Sequence, residues 1–262
     1  MIMGLLISNS AYSTEFDSMG RLKYYDGKEE VLCPSQTKDT AVILVIGQSL
    51  SANHHVQNFT TKYRQNVLNY YNGKCYVAAS PLLGATSEYG EFATLMGDML
   101  LETKKYKNVI IVPAGIGGTP IVRWQKGSDL NDMVTSVIEG VSRTYKITAI
   151  IWQQGESDYL SLTSTASYMN SFNSLASSLL EKNIKVPIYI SISSKCGPNW
   201  IENNPISLAQ NLLINNKQIF LGVNSDKLLN QSDRTPDECH LTGSGQIKLS
   251  QAYANAIANN AK

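Results

Sequence analysis

Five short runs in this chain are almost continuously apolar: residues 42–46 (VILVI), 108–112 (NVIIV), 148–152 (TAIIW), 187–192 (PIYISI) and 218–223 (QIFLGV). A strand with one face in water alternates polar and apolar residues. A strand covered on both faces does not, and these runs read as the latter. Helical stripes lie between and after them. Leu130, Met133, Val134, Val137, Ile138 and Val141 share one face behind Ser128 and Asp129 as an N-cap. Tyr168, Phe172, Leu175 and Leu179 share another, Pro205 after Asn204 opens a third helix, and Thr242 caps a last one carrying Ile247, Leu249, Tyr253 and Ile257. Strands alternating with helices imply right-handed βαβ units. The expected architecture is an α/β, three-layer α/β/α sandwich on a five-stranded parallel sheet. The first crossover, 53–107, is too long for one helix. An irregular excursion over 75–89 is expected before a helix over 91–105.

Over 262 residues, 22 basic and 21 acidic side chains give a net charge of +1 without a Lys/Arg stripe, which argues against a nucleic acid or an anionic membrane as partner. No apolar run approaches the ~20 residues of a membrane span. With no repeat or linker in view, 41–262 reads as one domain behind an N-terminal segment, 1–40. Its start, MIMGLLISNSAYSTEF, resembles the end of a signal peptide without a basic region, so 1–13 is read as a signal-peptide remnant and the protein as secreted or periplasmic, with the cytoplasm as the alternative. Cys33, Cys75, Cys196 and Cys239 fit no CxxC pattern and, with three histidines, make a poor metal set. An exported chain would pair them; the preferred pairing is Cys33–Cys75 and Cys196–Cys239, against four free thiols in the cytosol.

In open α/β sheets ligands collect beyond the carboxyl ends of the strands. After the first run comes Gly47-Gln48-Ser49-Leu50, placing a serine hydroxyl at a strand-to-helix turn; alone, this could be a simple N-cap. After the second comes Ala114-Gly115-Ile116-Gly117-Gly118-Thr119, whose glycines let a backbone N–H approach a ligand oxygen, or only make a tight turn. It lacks the GxxxxGK[ST] of a phosphate loop. After the third comes Trp152-Gln153-Gln154-Gly155-Glu156-Ser157-Asp158. Gln154 can donate through its amide, while Glu156 and Asp158 either brace the loop or act as a glycosidase pair. Near the end stands Asp237-Glu238-Cys239-His240-Leu241-Thr242, in which Asp237 can hold one imidazole nitrogen of His240 while the other accepts a proton from Ser49.

GQS, IGGT followed by Trp124-Gln125-Lys126-Gly127, WQQGESD and DxxHLT stand in one order over residues 47–242. The chain so resembles an SGNH-fold esterase of the sialate O-acetylesterase and carbohydrate esterase family 6 type. The resemblance implies a flavodoxin-like sheet and hydrolysis of acetyl esters on an O-acetylated carbohydrate, with no metal or cofactor. It implies Ser49 as nucleophile, His240 as base and Asp237 as its orienting acid, with the Ser49 N–H, the Gly117 N–H and the Gln154 amide as the oxyanion hole. Gln48, Gly118 and Glu156 are expected to bind substrate or brace loops. Arg123 and Trp124 could form a sugar platform or carboxylate clamp, or simply pack at a helix entry, and His54 and His55 could line the site or sit in a loop. Leu50 departs from the asparagine that commonly follows the serine. The rival readings are a catalytically silent carbohydrate-binding protein on the same scaffold, and a lipase or thioesterase; the polar SANHHVQNFTTKYRQN segment suits a sugar better than an acyl chain.

Overall fold

The computed structural model describes residues 13–260. Apart from Ser13, the signal-peptide reading of 1–13 lies outside the described residues. The chain opens with an antiparallel pair, β1 (Thr14–Phe16) and β2 (Leu22–Tyr25), followed by β3 (Glu30–Val31). The main alternation is β4 (Thr40–Gly47), β5 (Val67–Tyr71), β6 (Lys74–Val77), α1 (Ala93–Glu102), β7 (Asn108–Pro113), α2 (Asp129–Val141) and β8 (Ala149–Gln153). It continues with α3 (Glu156–Leu160), α4 (Thr165–Glu181), β9 (Ile188–Ile192), α5 (Pro205–Leu213), β10 (Ile219–Asn224), α6 (Ser225–Leu228) and α7 (Gly243–Asn260).

The five apolar runs are β4, β7, β8, β9 and β10. They lie side by side in the order β10-β9-β8-β4-β7 and are all parallel. Numbered among themselves they run 2-1-3-4-5, the flavodoxin-like order. The sheet, however, has eight strands rather than five. Parallel β5 continues it beyond β7, then β6 pairs antiparallel with β5 and β3 antiparallel with β6 to close that edge. Two of the added strands are a hairpin inside the first crossover, so Cys75 belongs to a strand and not to an irregular excursion.

Alternate residues of β4 serve opposite faces, as the two-residue period of a strand requires. Val42, Leu44 and Ile46 join an apolar cluster with Leu130 and Val134 of α2, Tyr168 and Phe172 of α4, and Ile206 and Ala209 of α5. Ala41, Ile43 and Val45 join a second cluster with Ala93, Met96 and Leu100 of α1 and Leu249, Tyr253 and Ile257 of α7. Two cores separated by one sheet make the three layers. The expected stripe of α7 needs one correction, since Ile247 points outward at 47% exposure. Nor does the Thr242 hydroxyl spend itself on a cap; it donates to the carbonyl of Ser232 at 3.1 Å. Asn204 does cap α5, accepting from the N–H groups of Ile206 and Ser207.

The cysteines form the preferred pairs. Cys33–Cys75 ties the segment before β4 to β6, and Cys196–Cys239 ties the loop after β9 to the segment before α7. No described helix is long and apolar enough to cross a membrane.

Candidate active site

Parallel β4 and β8 end together, and their backbones touch. Gly47 has φ +130°, and a Cβ there would lie 2.1 Å from the carbonyl oxygen of Gln153. Only glycine allows this approach, and it lets the Gln48 N–H donate to that same carbonyl at 3.0 Å. The chain then enters a single 3-10 turn, Ser49–Ser51, with Ser49 as its first residue and 6% exposed. Gln48 holds the turn from the side. Its Oε1 accepts from Ser157 N at 3.1 Å, Gln154 Nε2 at 3.3 Å and Gly155 N at 3.4 Å. Of the two roles expected for Gln48, this is bracing.

The glycine loop after β7 is fastened to the same turn, since Ile116 N donates to Gly47 O at 2.9 Å. The Gly117 N–H donates to Thr86 Oγ1 at 2.8 Å, and His54 Nε2 lies 3.1 Å from the same oxygen. A Cβ on Gly117 would be only 2.6 Å from His54 Nε2, so the loop packs directly on that ring. Gly118 is exposed with open space around it. Thr86 had no signal in the sequence, because it belongs to no strand end and no periodic pattern.

After β8, Gln154 is fully buried. Its amide nitrogen faces Asp158 Oδ2 at 2.5 Å, Thr119 O at 3.1 Å and Gln48 Oε1, which leaves Gln154 Oε1 without a partner among the described residues. Asp158 also accepts from Ile121 N at 2.7 Å and from the Thr163 hydroxyl at 2.9 Å. Glu156 accepts from the Ser193 hydroxyl, and burial pushes its carboxyl up to about 7 against that bond. Both carboxylates are 1% exposed and turned into internal bonds, so the glycosidase pairing finds no exposed acid and base here.

In the DECHLT segment Asp237 Oδ2 meets His240 Nδ1 at 2.6 Å. Its other oxygen accepts from Thr235 Oγ1 at 2.5 Å, Cys239 N at 2.9 Å and His240 N at 3.0 Å. Partial burial pushes this carboxyl up, but the four hydrogen bonds outweigh it and hold it well below the usual carboxylate range. An ionised carboxylate only accepts, so Nδ1 carries a proton and donates it to Asp237. Arg234, 4% exposed, supports the segment by donating to Cys239 O at 2.9 Å and Lys195 O at 3.2 Å. It is a second residue that reading the sequence did not single out.

The DECHLT segment meets the stretch just after the serine turn at a pair of histidines. The His54 ring stacks on His240 with centroids 5.7 Å apart and planes 19° apart. Burial, and then the neighbouring His240, lower His54 to about 4. His55 does not line the site as one reading had it. It is 1% exposed, with its ring between Leu50 O and Leu241 N, 3.3 Å from each. Gly117, Thr86, His54 and His240 are thus drawn into one neighbourhood, and His55 links Leu50, which follows Ser49, to Leu241, which follows His240. Arg123 and Trp124 take no part in these contacts. Trp124 is fully buried, donates to the Thr119 hydroxyl at 3.1 Å and packs edge-on against Trp152, so it offers no sugar platform. Arg123 is taken by Asp129 in a surface ion pair at 2.5 Å.

Among the described residues no cluster of three or more His, Cys, Asp or Glu side chains is arranged to hold a metal. A cleft of about 590 Å³ lies elsewhere, lined by Arg21, Tyr71, Arg143 and residues of α2, and includes none of the motif residues.

Comparison with known proteins gives a consistent set of likenesses. The family described as carbohydrate esterase, sialic acid-specific acetylesterase matches residues 39–259. A probable carbohydrate esterase of Arabidopsis thaliana is 31% identical over 153 residues, 57% of this chain and 55% of that protein, so the match spans about half the length of the curated relative. An X-ray structure of an Arabidopsis thaliana protein aligns with a TM-score of 0.68 at 19% identity, covering 86% of this chain and 99% of the other. NanS aligns at 0.57 and 16% identity (87% and 98% covered), and Est24, a carbohydrate acetylesterase from Sinorhizobium meliloti, at 0.52 and 13% (84% and 99% covered). At these identities the structures establish the shared fold.

Proposed function

Because the chain belongs to the carbohydrate esterase, sialic acid-specific acetylesterase family, and is thereby a carboxylic ester hydrolase, we propose that it removes acetyl groups from an O-acetylated carbohydrate through Ser49, His240 and Asp237. His240 Nε2 takes the Ser49 proton as the hydroxyl oxygen attacks the acetyl carbonyl. The resulting imidazolium is steadied by the Asp237 carboxylate at Nδ1. The tetrahedral intermediate collapses as His240 returns the proton to the departing sugar oxygen, leaving acetyl on Ser49. Water, deprotonated by the same ring, then releases acetate and restores the serine.

The N–H groups of Ser49 and Gly117 and the Gln154 amide are the proposed oxyanion donors. The Gly117 N–H is engaged by Thr86 Oγ1, and the Gln154 amide by Asp158, Thr119 and Gln48. The carbonyl oxygen must therefore compete with internal acceptors, and it does so best once it bears the full charge of the intermediate. That is the condition for transition-state binding. Two disulfides suit an oxidising compartment, and we read the protein as exported, with 41–262 as its catalytic domain.

The observation that carries the reading is the Asp237–His240 pair, held in a loop whose next residue, Leu241, is one imidazole away from the residue following Ser49. Ser49→Ala tests it. Acetate release from O-acetylated sialic acid, xylan and bacterial polysaccharides, and turnover of p-nitrophenyl acetate, are expected to vanish in a folded variant. Activity near that of wild type would remove Ser49 as nucleophile and leave Ser51 to be tested. A wild-type protein that turns over octanoyl esters faster than acetyl esters would favour the lipase reading instead.

A further inference from the structure

Leu50 and Leu241 lie next to the proposed nucleophile and base, far apart in sequence, and both are completely buried in the same apolar cluster. Between Leu50 O and Leu241 N stands the His55 ring, and its two nitrogens meet them 3.3 Å away on either side. The chemistry fixes its tautomer. A backbone N–H can only donate, so Nδ1 must present its lone pair to Leu241, and the proton must sit on Nε2, where it donates to the Leu50 carbonyl. The base of this strut is itself pinned. His55 N donates to Gly90 O and Gly90 N to His55 O, both at 2.9 Å, while Val56 N donates to Leu241 O at 3.1 Å.

We infer that His55 is a positioning residue: its neutral, Nε2-protonated imidazole is a rigid strut that sets the spacing between the serine turn and the histidine loop. The inference rests on the Ser49–His240 reading above. A hydrocarbon side chain satisfies neither backbone group, and the Asn and Gln amides overlay the Nδ1 and Nε2 positions respectively, one each. Burial suits the role. It lowers the ring's affinity for a proton to about 3, helped by His240 nearby, so the lone pair facing Leu241 persists throughout the neutral range. A protonated ring would point an N–H at the Leu241 N–H and push the loop away.

The experiment compares H55F, H55N and H55Q with wild type and with S49A on p-nitrophenyl acetate, per folded molecule and well below each melting temperature. H55F keeps the ring's bulk and loses both bonds. Its kcat is expected to fall about tenfold to a hundredfold, the scale of a misplaced reacting pair, with KM within about twofold. H55N restores an acceptor at the Nδ1 position and H55Q a donor at the Nε2 position, so each is expected to recover part of the loss and neither all of it. A role confined to stability would lower the melting temperature and leave kcat per folded molecule unchanged, which would overturn the inference. So would a loss lying wholly in KM, or nitrogen chemical shifts placing the His55 proton on Nδ1 in the wild-type protein. If H55F fails to fold, the two amide variants decide, and wild-type kcat in both refutes the strut. Activity in S49A would sink the triad reading, whereas an inactive S49A beside a fully active H55F would sink the strut alone.

Discussion

Removing the two disulfides one at a time should cost equal stability and unequal activity. Cys33–Cys75 and Cys196–Cys239 close loops of nearly the same length, with sequence separations of 42 and 43. The loop-closure entropy removed from the unfolded chain is then the same, about 4 kcal/mol for each bridge at 25 °C. In a chain of this size that corresponds to a fall in Tm of about 8–16 °C. Their positions differ completely. Cys33–Cys75 staples the antiparallel edge of the sheet at β6, whereas Cys239 stands between Asp237 and His240 and its bridge anchors that segment to the loop after β9. Without the second bridge the segment keeps the Arg234 bonds to Cys239 O and Lys195 O and the bonds around Asp237. It should loosen rather than unfold. C196A/C239A is expected to lose about tenfold in kcat, while C33A/C75A should turn over acetyl esters at the wild-type rate. Urea unfolding at 25 °C gives the stabilities, and p-nitrophenyl acetate turnover at a temperature where both variants are folded gives the rates. Equal kcat losses in the two variants, or none in C196A/C239A, would refute the argument that the bridge holds the base. Four free thiols in protein prepared under oxidising conditions would refute the bridges themselves.

Glu156, whose carboxyl burial displaces from 4.5 to about 7, keeps a proton in the folded protein that the unfolded chain has released. Folding stability should therefore fall as pH rises from about 4.5 through 7, by about 3 kcal/mol in all. The difference in urea stability between wild type and E156Q should show that slope, and a difference independent of pH would show that Glu156 ionises freely. Gln154→Ala should lower kcat by about 10²–10³ with little change in KM, as expected for a transition-state donor; unchanged kcat would confine Gln154 to bracing Asp158 and Gln48. Arg123→Ala, which breaks an exposed ion pair, should change stability by less than about 1 kcal/mol and leave KM alone, whereas Trp124→Ala should cost about 3–5 kcal/mol as a core truncation. Thermal and urea melts with KM values check both, and a severalfold rise in KM for R123A would restore its expected role as a clamp.

The parts of this protein governed by local pattern are legible in one dimension. Doubly covered strands need no polar alternation, so five of them could be read directly and their order of layers followed. Asp237 and His240 are three residues apart in one turn, so their contact is also local. β5 was hidden because Asn69 interrupts its apolar run. Only the fold supplies that amide with partners, the N–H of Leu83 at 2.8 Å and its carbonyl at 3.1 Å, and so makes a polar strand centre tolerable. The same holds at the site. Trp124 and His55 look like ligand-facing side chains in one dimension, because a sequence states what a side chain can bond but not what it is packed against. α2 and α4 bury the tryptophan, and the backbone groups of Leu50 and Leu241 claim both nitrogens of the histidine. The meeting of the serine turn with the histidine loop belongs to the tertiary structure alone. It depends on the paired ends of β4 and β8, on a disulfide and on one buried imidazole, each joining residues far apart along the chain.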